Sequence, residues 1–260
     1  MTAHGRNSFS AADRPYVVVS VTASVDGRVA LSRSSVLLDA AAGAIWGALH
    51  PAGAEELIAK RRAQIESQHH PQAVLEGSGT FVVESADPPT ALPDADEDLA
   101  TLLQDHLPGP TDCQWFVVVD GRGRMRWTHK GDENTRLLLL VSRSTPPGYL
   151  AYLRREQIPY LVAGEGPVDL ALALTRLRTL LGVTCVVSEA GGGLNGALLR
   201  AGLVDELHLV LLPALIGGRD TPTTFDGPPL TAEELPTALR CLDVRTTSDG
   251  AVWLHYAVDG

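Results

Sequence analysis

Four groups of residues in this 260-residue chain have the type and spacing to do chemistry. The first is Gly191, Gly192 and Gly193. They lie between the apolar run Val183, Cys185, Val186, Val187 and a run in which Leu194, Leu198, Leu199 and Leu203 recur at helical steps. Glycines at a strand-to-helix junction let the backbone approach a ligand closely, and the first N–H groups of the helix point at it, which suits a phosphate or diphosphate. The second is another glycine turn after a short apolar run, Gly77-Ser78-Gly79-Thr80. Two such turns at strand ends are what a dinucleotide lying across those ends requires. A plain flexible connection is the competing reading of each turn. The third group is Arg122, Arg124, Arg126 and Lys130, gathered beyond the run Gln114 to Asp120 in a chain that is otherwise acidic. The arginine fork suits the 2′-phosphate that separates NADP from NAD, against the alternative of a solvated loop paired with acidic neighbours. The fourth is Ser20, Thr22 and Ser24, alternating with Val21, Ala23 and Val25. Three hydroxyls on one face of an apolar run line a pocket or cap a turn, unless that face is simply solvated.

These residues need a frame that brings strand ends together. Strand-like runs at 15–25, 73–76, 114–120, 137–141, 160–163 and 183–187 alternate with helical runs at 36–49, 54–66, 149–156, 168–181 and beyond the triple glycine. Such alternation predicts an α/β fold with a mostly parallel central sheet flanked by helices. The runs 206–212 and 251–258, with a segment around 239–244, predict antiparallel strands added at one edge. Residues 1–14 are polar and patternless and read as a mobile tail, leaving 15–260 as a single domain. The acidic, proline-rich stretch 84–110 has no lysine or arginine and reads as a surface excursion with one short helix over 99–106. Lys60, Arg61 and Arg62 on the second helical run read as a solvated face.

Composition excludes several classes. A net charge of −10 speaks against a nucleic-acid or anionic-membrane surface, because either asks for a clustered basic face. No apolar run is long enough to span a bilayer and the N-terminus lacks the apolar core of a signal peptide, so a cytoplasmic location is expected. Cys113, Cys185 and Cys241 are far apart and show no ligand spacing, so neither a disulfide framework nor a metal site is expected.

Three blocks carry a family resemblance: TASVDGRVA at 22–30, EGSGTFV at 76–82 and SEAGGGLNGALLRAGLVDELHL at 188–209. In them the chain resembles the pyrimidine reductase family of riboflavin biosynthesis, the C-terminal domain of the bifunctional deaminase/reductase, whose fold is dihydrofolate reductase-like. The resemblance implies NADPH as cofactor, cradled by Gly77, Ser78, Gly79, Thr80, Gly191, Gly192, Gly193, Leu194 and Asn195, with Arg122 and Ser142 counted beside them. It implies that Ser24 faces the substrate with Asp26 and Glu189 as catalytic carboxylates, one of which assists proton delivery, and Ser20 and Thr22 are placed in the same substrate site. The implied reaction is that of a 5-amino-6-(5-phosphoribosylamino)uracil reductase, hydride transfer to the ribose C1′ of an aminopyrimidine ribosyl phosphate. A homodimer with the C-terminal strands near its interface is implied as well. Departures bear on the substrate: Ser20 stands where the family often has lysine, ESADPPTALP follows the second block without the family's arginine, and Ala190 replaces a glycine. A reductase of a pteridine-like or specialised substrate, or a non-catalytic nucleotide-binding relative, therefore stand as alternatives.

Overall fold

In a computed structural model, which describes residues 13–83, 89, 92, 98–109 and 112–259, nine strands form one sheet. In chain order they are β1 (Tyr16–Ser24), β2 (Ala73–Gly77), β3 (Gln114–Val119), β4 (Thr135–Val141), β5 (Tyr160–Val162), β6 (Cys185–Ser188), β7 (Glu206–Leu212), β8 (Leu239–Thr246) and β9 (Val252–Val258). The helices are α1 (Ala40–Gly47), α2 (Ala52–His69), α3 (Leu99–Leu102), α4 (Pro147–Arg155), α5 (Leu170–Leu181) and α6 (Gly192–Arg200).

The sheet order is β5-β4-β3-β2-β6-β1-β7-β9-β8. All pairs from β5 to β7 are parallel, while β9 pairs antiparallel to β7 and β8 to β9. This is the mostly parallel sheet with antiparallel edge strands that the alternation predicts. The chain leaves β1 for β2, and β6 later fills the place between them, so the order reverses here and a crevice opens beyond the strand ends.

Burial on both faces explains the near-continuous apolar reading of β1. Val17, Val19 and Val21 pack with Leu174 and Leu177 of α5 and Leu198 of α6. On the opposite face Val18 meets Ile65 of α2, and Val210, Leu212 and Trp253 meet Leu57 and Ile58 of the same helix. The hydroxyl residues of β1 share Val18's face, where Arg61 of α2 reaches Thr22.

The tail expected over 1–14 lies outside the described residues except for Asp13 and Arg14. Arg14 is buried, its guanidinium donating to both carboxylate oxygens of Asp205, whose Oδ2 also accepts the Val17 N–H. The helix expected over 36–49 is shorter. Residues 36–39 form a turn, closed by the Asp39 N–H to the Val36 carbonyl, before the helix starts at Ala40. Of the acidic excursion expected over 84–110, residues 84–88, 90–91, 93–97 and 110 lie outside the described residues, and its helix, expected over 99–106, spans only Leu99–Leu102, capped by Asp98.

Candidate active site

A cleft of about 770 Å³ opens over the C-terminal ends of β1, β2, β3 and β6. One wall is glycine. After β2 the chain turns once through Ser78–Thr80, and Thr80 Oγ1 donates to Glu76 Oε2 at 2.8 Å, closing the turn. Opposite it α6 starts at Gly192 with Gly191 as its N-cap and no side chain on its first N–H groups. A Cβ added at Gly79, Gly191 or Gly193 would meet no atom within 4 Å, so these backbones face open space. Gly192 and Gly196 are packed instead: a Cβ there would stand 2.0 Å from the Thr223 carbonyl oxygen and 1.6 Å from that of Asp226. The triple glycine thus mixes positions open to a ligand with one that a neighbouring loop requires.

Asn195 does not line the cleft. It is fully buried, with Oδ1 accepting from Ser188 Oγ at 2.8 Å and Nδ2 donating to the Ala190 carbonyl at 2.7 Å, so it fixes the turn that presents Glu189 and the glycines. Leu194, Gly77 and Ser78 do line it. Ser142 is buried behind the cleft, its hydroxyl meeting Ser144 and its N–H donating to Thr145 Oγ1.

The basic cluster is dispersed. Asp120 accepts the N–H groups of Arg124 and Met125 and the Tyr149 hydroxyl, and Trp127 is held by Tyr149 and Tyr152. This fastening leaves only Arg122 and Arg124 on the cleft. Arg124 is buried and donates to Ser78 Oγ at 2.8 Å, bracing the glycine turn. Arg126 instead lies over the Tyr152 ring, and Lys130 binds the carboxylate and carbonyl of Glu156.

The floor carries the charge. Arg61 of α2 is 3% exposed and donates through Nη1 to the Val21 carbonyl at 2.6 Å and to Thr22 Oγ1 at 3.3 Å. Among the described residues its Nε has no hydrogen-bond partner, and neither does the buried Ser20 hydroxyl on β1. Burial lowers the Arg61 pKa to about 10, which leaves it charged at neutral pH. The solvated-face reading of 60–62 is therefore corrected at Arg61, while Lys60 and Arg62 are exposed as that reading expects. Arg61 falls in the buried stripe Leu57, Ile58, Arg61, Ile65, and Arg62 reaches Glu189 with Nε 3.8 Å from Oε1. Glu189 leaves the end of β6 into the cleft, and Glu76 stands beside it at the end of β2. Burial pushes the Glu76 carboxyl up to about 7, the Glu189 charge adds to this, and the Thr80 hydroxyl opposes it. Glu76 escapes sequence reasoning because an acidic residue just before a glycine turn carries no periodic signal.

Asp26, expected as a catalytic carboxylate, does not line the cleft. Its oxygens accept from Ser24 Oγ at 2.6 Å, from the Ile216 N–H at 3.1 Å and from the Gly217 N–H at 2.7 Å. These bonds, led by the Ser24 hydroxyl, hold its pKa down to about 2. Asp26 therefore ties the turn after β1 to the loop after β7. Ser24 serves the same turn, its Oγ also accepting the Arg28 N–H, and is not on the cleft either. Of the β1 hydroxyls, Ser20 and Thr22 line the cleft and Ser24 caps.

The family model described as the RibD C-terminal domain matches residues 15–253. The chain is 30% identical over 229 residues, 87% of its length and 90% of the relative's, to the 2,5-diamino-6-ribosylamino-4(3H)-pyrimidinone 5′-phosphate reductase of Methanothermobacter thermautotrophicus. It is 31% identical over 216 residues to the protein of the same description from Archaeoglobus fulgidus, covering 82% of this chain and 87% of that one. Among solved structures, RibD of Acinetobacter baumannii superposes with a TM-score of 0.58 at 21% identity; the match takes in 95% of this chain and 59% of that longer one.

Proposed function

Because the chain belongs to the RibD C-terminal domain family, we propose that it is an NADPH-dependent reductase of riboflavin biosynthesis, taking the phosphorylated ribosylaminopyrimidine to its ribityl form. The relatives that match over most of their length are described as reductases of the 2,5-diamino pyrimidinone, and that substrate is preferred here to the deaminated uracil. The observation that carries the reading is one cleft in which open glycine backbone at Gly79, Gly191 and Gly193 faces a floor of Arg61 and Glu189.

The two halves of the cleft divide the work. The glycine turns and the start of α6 fit a diphosphate, because among the described residues no side chain caps that helix start and no Cβ at Gly79, Gly191 or Gly193 blocks approach. Arg122 and Arg124 supply positive charge beside the same turn. Bound there, NADPH supplies the hydride. On the substrate side, Glu189 accepts hydrogen bonds from the amino and hydroxyl groups of the aminopyrimidine and polyol. Arg61 restores the positive charge that Ser20, in place of the family's frequent lysine, has removed from β1: it rests on Val21 and Thr22 and lines the cleft floor. Glu76 holds a proton up to neutral pH and is placed to assist proton delivery. Asp26 and Ser24 take part by fixing the loop at 216–217 rather than by contact.

No helix among the described residues is long and apolar enough to cross a membrane, and a cytoplasmic location belongs to the proposal. A homodimer does too, supported by Leu239, Leu242 and Val244, which stand exposed on the edge strand β8.

The test is oxidation of NADPH followed by absorbance with the diamino pyrimidinone phosphate and its uracil counterpart offered separately. Turnover of the diamino substrate, lost in Glu189→Gln with NADPH binding retained, is the expected result. A protein that binds neither NADPH nor NADH overturns the reading.

A further inference from the structure

A second cluster of chemically capable side chains lies on the α2-covered face of the sheet, away from the glycine wall. Glu206 and His208 are two residues apart on β7 and so share a face, and His255 of β9 stands directly opposite His208 in the antiparallel register. All three are buried, His208 completely. His208 Nε2 lies 2.6 Å and His255 Nε2 2.7 Å from the same oxygen, Glu206 Oε1, with the two rings stacked at 4.0 Å. From the last turn of α2, His69 brings its Nε2 to 3.1 Å from the other oxygen, Oε2. The Tyr16 hydroxyl donates to that oxygen at 2.9 Å.

Imidazoles from three separate elements therefore converge on one buried carboxylate, and one ligand atom each from Glu206, His208 and His255 falls within a 4.8 Å span. Nitrogen donors with a single carboxylate are a set that zinc accepts readily, with cobalt and nickel close behind. We propose that Glu206, His208 and His255 form a zinc site, with His69 beside it against the other carboxylate oxygen. Zinc bonds of roughly 2.0–2.1 Å set tetrahedral ligand atoms about 3.3 Å apart, so the His208 and His255 nitrogens, now 2.6 and 2.7 Å from the carboxylate oxygen, retreat from it by about 0.6–0.7 Å, a motion that side-chain torsions supply. The Tyr16 hydroxyl is the outer hydrogen bond that orients the metal-bound carboxylate. An entry path exists on the His69 side, where that ring is 20% exposed and stacks on the half-exposed Tyr16. The ion joins two paired strands of the sheet and acts structurally. It clamps β7, β9 and the end of α2, and α2 is the helix that places Arg61 on the cleft floor.

The test uses tag-free full-length protein, treated with chelator, dialysed and titrated with Co²⁺ in the visible and with Zn²⁺ by calorimetry and thermal melting. One ion per chain is expected, with the intense absorption of tetrahedral cobalt and a rise in Tm. Both should be lost in His255→Gln and in His208→Gln. Failure of the unmutated protein to take up either ion while its far-ultraviolet circular dichroism shows it folded overturns the proposal. So does uptake that survives both substitutions.

Discussion

Replacing Glu76 by Gln isolates the energetic consequence of burying a carboxyl beside a second one. Glu76 is 9% exposed, and its pKa stands at about 7 against an ordinary 4.5. Between those two values the folded protein keeps a proton that the unfolded chain releases. The folded state thus binds more protons, and stability falls as pH rises through this window. The distance from 4.5 to about 7 corresponds to about 3 kcal/mol, complete above pH 7 and absent below the unfolded value. Glutamine keeps an acceptor for the Thr80 hydroxyl and never ionises. Urea denaturation at steps from pH 4.5 to pH 8.5 should therefore show the variant level with the parent at the acid end and more stable by up to about 3 kcal/mol at the alkaline end. Affinity for NADPH should follow the same course, because above pH 7 the parent sets a second negative charge beside Glu189 near the place proposed for an anionic cofactor. A stability difference that stays flat across the range would refute the argument, since it would mean that Glu76 ionises freely in the folded state.

Arg61→Met keeps the length of the side chain and removes its charge and its bonds to Val21 and Thr22. KM for the ribosyl phosphate should rise about tenfold or more, in keeping with loss of a charge-assisted hydrogen bond, while the Kd for NADPH changes little. An unchanged KM would remove Arg61 from the substrate site. The glycines divide cleanly: Gly79→Ala should melt like the parent and bind NADPH more weakly in a fluorescence titration, because its Cβ enters only open space. Gly196→Ala drives a Cβ into the Asp226 carbonyl and should lower stability by about 1–3 kcal/mol. Equal melting of the two variants would contradict the packing described here.

What was legible in the sequence was what leaves a local trace. The β-branched run of β1, the glycine turns after β2 and β6, and the alternation of strand and helix each follow from residues near one another in the chain. The cleft's glycine wall was legible for the same reason. Its charged floor was not. Arg61 reads as one of three consecutive basic residues, and the trace that distinguishes it is the stripe Leu57, Ile58, Arg61, Ile65, in which a charge occupies a core-facing step. Arg122, Arg124, Arg126 and Lys130 show the opposite failure. Four charges adjacent in sequence are separated in space because Asp120, Tyr149 and Tyr152 fasten the intervening backbone, and only two of them reach the cleft.

The buried histidines fail for a third reason, one of topology. Local ligand spacing is sought within a turn or a hairpin, yet Glu206 and His255 meet only because β9 pairs with β7, and His69 joins them only because α2 crosses that pair. The same helix carries Arg61 two turns earlier on its buried face, so a constraint at its C-terminal end acts on the cleft floor. Its own contacts there are with strands β1, β6, β7 and β9 and, through Arg62, with Glu189 on the substrate side. Loosening the far end of α2, as in His69→Ala, should then disturb the substrate side through Arg61 and spare the cofactor side, where the turns are held separately by Arg124 and Asn195. A KM for substrate that rises while the Kd for NADPH stays constant is the expected signature. Equal loss of both would show that the two halves of the cleft are not positioned independently.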